Sequence, residues 1–145
     1  MFNYYFDAER DGHAATVRMF EAIGAGEYEG YTSEYVTYEL QRSSEPKLTD
    51  MMALIDRYNI AVLRADEEAD YLASQYIRNE AIPEKYDLDS LHIACASVNG
   101  LDCMLSFNFK HINKLKTKEM TALINLREGY RSVIICTPME VLDNE

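Results

Sequence analysis

A chain of 145 residues with 48% hydrophobic and 27% charged residues has an ordinary globular composition, which excludes a disordered or collagen-like protein and predicts a single domain over residues 1–145. The net charge of −11 excludes a protein that binds nucleic acid through charge spread over its whole surface. The longest uncharged stretch, residues 90–101, is too short and too polar to cross a bilayer, and the N-terminus lacks the pattern of a signal peptide. We therefore expect a soluble, cytoplasmic protein with no membrane partner.

The pattern of apolar residues predicts helices that alternate with short strands. The predicted helices follow capping or turn residues: His13–Ala25, Ser33–Arg42, Lys47–Tyr58, Asp66–Glu80 and Asp87–Asn99. The predicted strands are short apolar runs, the second of them expected to be buried: Tyr28–Thr32, Ile60–Leu63, Cys103–Phe107 and Ser132–Cys136. This alternation predicts a three-layer α/β/α fold, in which a mostly parallel central sheet lies between two layers of helices.

The three cysteines form no recognisable metal or disulfide motif. Cys95, Cys103 and Cys136 are odd in number and widely spaced, and no CxxC pair or nearby pair of histidines suggests zinc. We expect all three to be reduced thiols in the core.

Asp89 is the strongest candidate for a functional acid. Ligands of parallel sheets bind beyond the carboxyl ends of the strands, so acids near those ends are candidates. Asp89 opens a helix that is apolar nearly all round, and it points along the stripe of Ile93 and Ala96, where an unpaired charge is costly. Its partner is either the amides of the helix N-terminus or a bound cation. Because Asp87 can fill the capping role, we favour a functional role for Asp89.

Glu39 is a second acid on an apolar side of a helix. On the predicted Ser33–Arg42 helix it falls inside the arc formed by Tyr35, Val36 and Leu40. Two interpretations stay open, a salt bridge to a lysine or arginine and a shared metal ion. Mg²⁺ takes oxygen ligands and is commonly held by one or two carboxylates together with water and substrate phosphate.

The end of the Cys103–Phe107 strand supplies small polar groups. Ser106 and Asn108 are expected to alternate onto the same side of the strand at its carboxyl end, where they can support a metal site. Asp102 begins the strand and should lie roughly 20 Å from Asn108. We therefore interpret Asp102 as structural.

Residues 108–131 reverse the charge of the chain. They contain two acids and six basic residues: Lys110, Lys114, Lys116, Lys118, Arg127 and Arg131. Such a segment either contacts an anion or forms a solvated helix face, and both interpretations stay open. His111 either contacts phosphate or caps a turn, whereas we expect His92 to be a core residue.

Two segments together are similar to a known family. The first consists of DSLHIACA (89–96) together with GLDCMLSFNFKH (100–111), and the second is SEYVTYEL (33–40). The first resembles the C-terminal signature, and the second the second-helix motif, of the PIN-domain family, the metal-dependent ribonucleases prominent as toxins of bacterial and archaeal toxin-antitoxin pairs. The resemblance covers nearly the whole chain. It implies that Glu39 and Asp89 are acidic metal-site positions and that Asn108 stands where many members carry Asp.

The chain departs from this family at its start. Family members open with an apolar strand that ends in Asp and is followed by a segment like MFNYYFD (1–7). The departure predicts that the first strand and its carboxylate are missing here, through a mis-set start or a truncated sequence. Asp7 follows an apolar run but does not match the position of the strand-ending Asp.

The resemblance implies a Mg²⁺- or Mn²⁺-dependent hydrolase that cleaves single-stranded RNA. Glu39 and Asp89 would hold the metal and Asn108 would position water. Further candidates, for contact with the RNA, are Ser106, Lys110, His111 and Lys114. Two alternatives stay open, a non-catalytic PIN-like domain that binds a protein or RNA, and an acidic α/β scaffold with salt-bridged carboxylates. An antitoxin partner and a homodimer are both compatible with the sequence.

Overall fold

The computed structural model describes residues 1–42 and 45–143 and has an α/β fold, as predicted. Its helices are α1 (Phe2–Phe6), α2 (His13–Gly24), α3 (Glu34–Gln41), α4 (Glu45–Arg57), α5 (Glu67–Arg78), α6 (Asp87–Val98), α7 (Leu115–Glu128) and α8 (Pro138–Asp143), with a 3-10 turn at Glu84–Tyr86. Its strands are β1 (Tyr31–Ser33), β2 (Ala61–Leu63), β3 (Cys103–Leu105) and β4 (Ile134–Cys136). The five predicted helices correspond to α2–α6 and the four predicted strands to β1–β4, so the order of these elements is confirmed.

The described residues cluster into two compact units. Unit 1 comprises residues 1–64 and the C-terminal segment from Pro138, and unit 2 is Ala65–Thr137. Each holds one two-stranded parallel sheet, β1 with β2 in unit 1 and β3 with β4 in unit 2. One continuous central sheet, and a single domain, therefore stay predictions. In the part of the chain that is described, no helix is long and apolar enough to span a membrane.

The core of unit 1 is built between α2 and α4. Phe20 of α2 packs with Leu54 of α4 and with Tyr58 and Ile60, which follow α4. The Tyr58 hydroxyl shares a hydrogen bond of 2.7 Å with the hydroxyl of Tyr5, and this bond ties α1 to the core. The C-terminal α8 packs on α2.

The strand predicted at Ile60–Leu63 is present as β2, but the prediction that this strand is buried is wrong. Only Ile60 is buried, and it precedes β2, whereas Val62 within the strand is 41% exposed. Ile60, which precedes the strand, makes the contact with the core residues of α4. The strand itself is held by its backbone pairing with β1, and its side chains are largely exposed. A continuous apolar run thus marks a strand here without marking its burial.

A buried polar network joins three helices of unit 2. The Tyr76 hydroxyl of α5 donates to the Oδ1 of Asn125 on α7. The Nδ2 of Asn125 donates to the Oγ of Ser97 on α6 at 2.8 Å, and that hydroxyl donates to the Ile93 carbonyl at 2.9 Å. All three side chains are buried. A fully satisfied network of this kind fixes how the helices pack.

Helix α7 buries three polar residues beside Ile124 and leaves several leucines exposed. Its buried positions include Thr117, Thr121 and Asn125, which repeat every four residues. Leu123 and Leu126 are 66% and 75% exposed. The inward threonines bond backbone carbonyls, Thr117 Oγ1 to His111 and Thr121 Oγ1 to Thr117. Buried threonines and asparagine with exposed leucines do not give the apolar stripe that usually marks the buried side of a helix. The sequence of this basic segment therefore did not predict which side of α7 is buried.

Raising the pH from about 10 to about 12 is expected to destabilise the protein through Tyr76. Burial is the largest influence on this group and raises its pKa to about 12, although hydrogen bonds with Ser97 and Asn125 act in the opposite direction. The unfolded chain loses the phenolic proton near pH 10, so the stabilisation is complete below pH 10 and is lost as the pH rises through the pKa of the folded state. The loss is about 3 kcal/mol. Urea unfolding at pH 9 and at pH 11.5 should show a smaller decrease for Tyr76→Phe than for the unaltered chain, and equal decreases would contradict the assignment.

Candidate metal and RNA site

Glu39 lies on the apolar side of α3 in unit 1, as the sequence predicts. Ser33 ends β1 and precedes the helix in extended conformation, so α3 begins directly at the carboxyl end of that strand. Val36 and Leu40 pack against the core of unit 1, and Glu39 beside them is half-buried. This position favours pairing of the carboxylate with a cation, since burial weakens its hydration.

One cation near Glu39 is the Met1 amine. Burial, the largest influence, lowers the pKa of this amine and the Arg10 charge lowers it further, while the Glu39 carboxylate acts in the opposite direction. The Met1 amine is therefore one charge near the Glu39 carboxylate, while a salt bridge to a lysine or arginine and a shared metal ion both stay open.

Asp89 lies in the first turn of α6 in unit 2. The helix is held in place by Ser90, which is fully buried and donates to the Ala73 carbonyl of α5 at 2.9 Å. The prediction that Asp87 caps this helix is wrong, because Tyr86 precedes α6 and its side chain makes no capping hydrogen bond. Asp87 is the first helical residue, and its Oδ1 accepts from the amide of the next residue, Leu88, at 2.9 Å. Asp89 is half-buried, whereas Asp87 is exposed. His92, expected in the core, is also only half-buried.

The loop formed by residues 106–113, called here the 106–113 loop, replaces the predicted end of the third strand. The strand stops at Leu105, so the prediction that Ser106 and Asn108 alternate along it is wrong. The Asn108 amide donates to the Ser106 Oγ at 3.0 Å, and the His111 amide donates to the Asn108 Oδ1 at 3.1 Å. Serine and asparagine side chains compete with the strand ladder for backbone groups, and here they close a loop.

The 106–113 loop lies beside the start of α6. The ring of His111 stacks on that of Tyr86, with 3.6 Å between centroids and 26° between planes. Tyr86 immediately precedes α6, and Asp89 follows one turn later. Unit 2 therefore brings the turn that carries Asp89 next to the loop that carries Asn108 and His111. The role of Tyr86 was missed by the sequence analysis, because an aromatic residue in a polar turn carries no periodic signal.

The basic residues of 108–131 divide into two groups. Arg127 donates to Gln75 Oε1 at 3.1 Å, and Arg131 donates to the Gly100 carbonyl and to Asp102 Oδ1 at 2.7 and 3.1 Å. These contacts are structural, and the Asp102 pair agrees with the predicted structural role of that acid. The remaining members make no ion pair with any residue that the structure describes: Lys110, Lys114, Lys116 and Lys118. Lys110 and Lys116 are exposed, while Lys114 and Lys118 are half-buried.

The donor chemistry around Asp89 suits a hard cation that keeps much of its hydration. Across residues 1–42 and 45–143, no three His, Cys, Asp or Glu side chains form a metal-binding group. Unit 2 offers the Asp89 carboxylate and the Asn108 carboxamide oxygen, which already accepts one backbone hydrogen bond. Oxygen donors in this number fit Mg²⁺ or Mn²⁺ completed by water and phosphate, and they do not fit a closed protein cage.

Comparison with protein-family models, with curated proteins and with solved structures gave no significant match to this chain. The resemblance of residues 33–40, 89–96 and 100–111 to the PIN-domain family stays a prediction from the sequence.

Proposed function

We propose that this chain is a PIN-like, Mg²⁺- or Mn²⁺-dependent endoribonuclease that cleaves single-stranded RNA, the toxin of a toxin-antitoxin pair, with a three-layer α/β/α fold. The observation that carries the proposal is the stacking of His111 on Tyr86, which puts the first turn of α6 beside the 106–113 loop. A carboxylate, a carboxamide and an imidazole thereby lie near the carboxyl end of a parallel strand, where α/β proteins bind ligands.

Each residue has a role that follows from its position. Asp89 would hold the metal in unit 2, and Glu39 of unit 1 is the second metal position that the resemblance to the PIN-domain family implies. When bound, the metal would make water more acidic and offset charge on the scissile phosphate. Asn108 is fixed by its bond with the His111 amide, so its carboxamide can orient water or a phosphate oxygen. Residues at the loop and the start of α7 would contact the RNA backbone: Ser106, Lys110, His111 and Lys114. In this scheme no side chain of the protein acts as the nucleophile.

A second candidate function, binding of a protein partner without catalysis, is favoured by the outward side of α7. Leu123 and Leu126 of this helix are largely exposed, and exposed apolar patches of this kind often mark partner surfaces. An antitoxin or a second copy of the chain would suit that surface. Tyrosines in and after β1 are a second possible contact surface for another copy of the chain. Of these, Tyr31 and Tyr38 are exposed and available for such a contact, whereas Tyr35 is buried.

The test is cleavage of a labelled single-stranded RNA with Mg²⁺, with Mn²⁺ and with EDTA. We expect cleavage that depends on the metal and produces internal cuts. A second form that carries an added N-terminal strand ending in Asp, the feature that the family resemblance implies, is assayed in parallel, and we expect it to cleave RNA more strongly. If both forms bind RNA in the absence of metal and neither cleaves it, the chain is a binding module and the ribonuclease proposal is wrong.

RNA affinity is expected to fall as salt rises, through the exposed lysines. Lys110→Gln and Lys116→Gln each remove one phosphate contact, so each should flatten the plot of log affinity against log salt by roughly one unit. Arg78→Gln, an exposed cation at the end of α5, is the matched control and should leave the slope unchanged. Unchanged slopes in the lysine variants, measured by fluorescence anisotropy, would exclude these side chains from the RNA contact.

A further inference from the structure

Two of the three cysteines come together on one side of the β3–β4 sheet. The Sγ atoms of Cys103 and Cys136 are 2.8 Å apart. In the parallel register Cys103 lies opposite Ile134 and Cys136 lies opposite Leu105, so the two cysteines are diagonal neighbours. Side chains two positions apart on a strand share a face, and both thiols therefore point to the same side of the sheet. The wide spacing of the cysteines in the sequence gives no indication of this pair.

The two thiols differ in accessibility. Cys103 is half-buried, whereas only 5% of Cys136 is exposed. Cys95 is buried on α6, and its Sγ accepts a hydrogen bond of 3.7 Å from the Asn99 Nδ2. A small disulfide in solution can therefore reach Cys103 first, and Cys136 is the thiol placed to react next.

We propose that Cys103 and Cys136 form a reversible disulfide by exchange with a small-molecule disulfide such as oxidised glutathione. The Cys103 thiolate attacks one glutathione sulfur, a mixed disulfide forms at Cys103, and one reduced glutathione leaves. The Cys136 thiolate then attacks the Cys103 sulfur and releases the second reduced glutathione. The two protein thiols are oxidised, the glutathione disulfide is reduced, and the two protons pass to the departing thiolates. Closure needs the sulfur atoms to approach from 2.8 Å to about 2.0 Å.

The bond would link the last two strands at the base of the 106–113 loop. The Cys136 carbonyl accepts from the Ser106 amide at 2.9 Å, so the cross-link would lie one hydrogen bond away from that loop. It would also enclose residues 103–136, including all of α7, and such a closed loop restricts the unfolded chain. The site therefore offers oxidation control over the part of unit 2 that holds Ser106, Asn108 and His111, whatever that loop binds.

The experiment treats the folded 145-residue chain with oxidised glutathione and counts thiols after denaturation. We expect the count to fall from three to one, a peptide map to show Cys103 joined to Cys136 with Cys95 still reduced, and dithiothreitol to restore all three. Three remaining thiols, or a cross-link that includes Cys95, would overturn the proposal.

Two variants separate the steps. Cys136→Ser should retain one glutathione on Cys103, because the second thiol is absent, whereas Cys103→Ser should remain almost unmodified. Cys95→Ser is the matched control and should form the cross-link as fast as the unaltered chain, which keeps the test decisive if either strand variant folds poorly. A mixed disulfide that persists at Cys103 in the unaltered chain would show that closure does not occur.

Discussion

Asp89→Asn is expected to reduce metal-dependent cleavage of single-stranded RNA by roughly a hundredfold or more. The substitution keeps the size of the side chain but removes the negative charge that holds a divalent cation, and loss of one preorganised charge-stabilising group commonly has an effect of this order. Asp89 is half-buried and its neighbour Ser90 anchors α6 through the Ala73 carbonyl, so the fold should survive. Cleavage rates at saturating Mn²⁺, with the melting temperature measured without metal, check both statements.

Asp87→Asn is the matched control for this experiment. Asp87 lies two residues earlier on the same helix, is exposed, and accepts a hydrogen bond from the Leu88 amide that asparagine can also accept. We expect nearly unchanged cleavage by this variant. Equal activity of Asp87→Asn and Asp89→Asn would remove Asp89 from the metal site, and with it the main support for the ribonuclease.

Glu39→Gln tests whether the second acid belongs to the same site. If both carboxylates hold one metal, Glu39→Gln should lose cleavage to a similar extent as Asp89→Asn, and the double variant should lose little more. Glu34→Gln, on the same helix and away from the Val36 and Leu40 side, is the comparison. Retained cleavage in Glu39→Gln would leave that residue as an ordinary charge partner in unit 1.

Asn125→Leu is expected to lower the free energy of unfolding by roughly 2–4 kcal/mol, through two or more lost hydrogen bonds and a buried donor left unpaired. Asn125 is 1% exposed, accepts from the Tyr76 hydroxyl, and donates to Ser97 and to the Arg131 carbonyl. Leucine fits the volume, so the loss reports the polar network and not a cavity. For a chain of this size the melting temperature should fall by roughly 5–15 °C.

Leu126→Asn makes the opposite exchange at the next position of α7. Leu126 is largely exposed, so this variant should lie within about 0.5 kcal/mol of the unaltered chain. A double-mutant cycle of Tyr76→Phe with Asn125→Leu should show coupling, because the two side chains share a bond. Additive effects, or a loss in Leu126→Asn as large as in Asn125→Leu, would show that the network does not hold the helices.

The parts of the fold that were predictable are those with local causes. Asp66 was predicted to begin a helix, and its Oδ1 accepts from the Glu68 amide at 2.7 Å at the start of α5. Most apolar residues of that helix lie toward one side, where Leu72 and Tyr76 are fully buried and Ile77 is half-buried. A capping side chain and a 3.6-residue period depend only on nearby residues, so the sequence carries them directly.

The parts that could not be predicted depend on partners distant in sequence. Nothing local shows that Asn125 and Thr117 are buried while leucines of the same helix are exposed, since the partners of Asn125 lie on α5 and α6. The third strand was predicted to end at Phe107, two residues into the 106–113 loop, because Phe107 continues the apolar run. The side-chain bonds of Ser106 and Asn108 close the loop instead. The candidate residues could therefore be predicted from their type and position in the sequence. The stacking of Tyr86 on His111, which brings the start of α6 and the 106–113 loop together, could not be predicted.

The placement of α8 has a consequence for synthesis on the ribosome. This helix packs on α2, and Leu142 is buried there, yet all of unit 2 is translated between the two. Unit 2 is one continuous segment, so all of its residues are synthesised before α8, whereas unit 1 is complete only after α8 has been added. A nascent chain that stops before Pro138 would carry a finished unit 2 and a unit 1 with one side of α2 uncovered. Quality-control proteases that recognise exposed apolar surface would then meet the N-terminal part of the chain first.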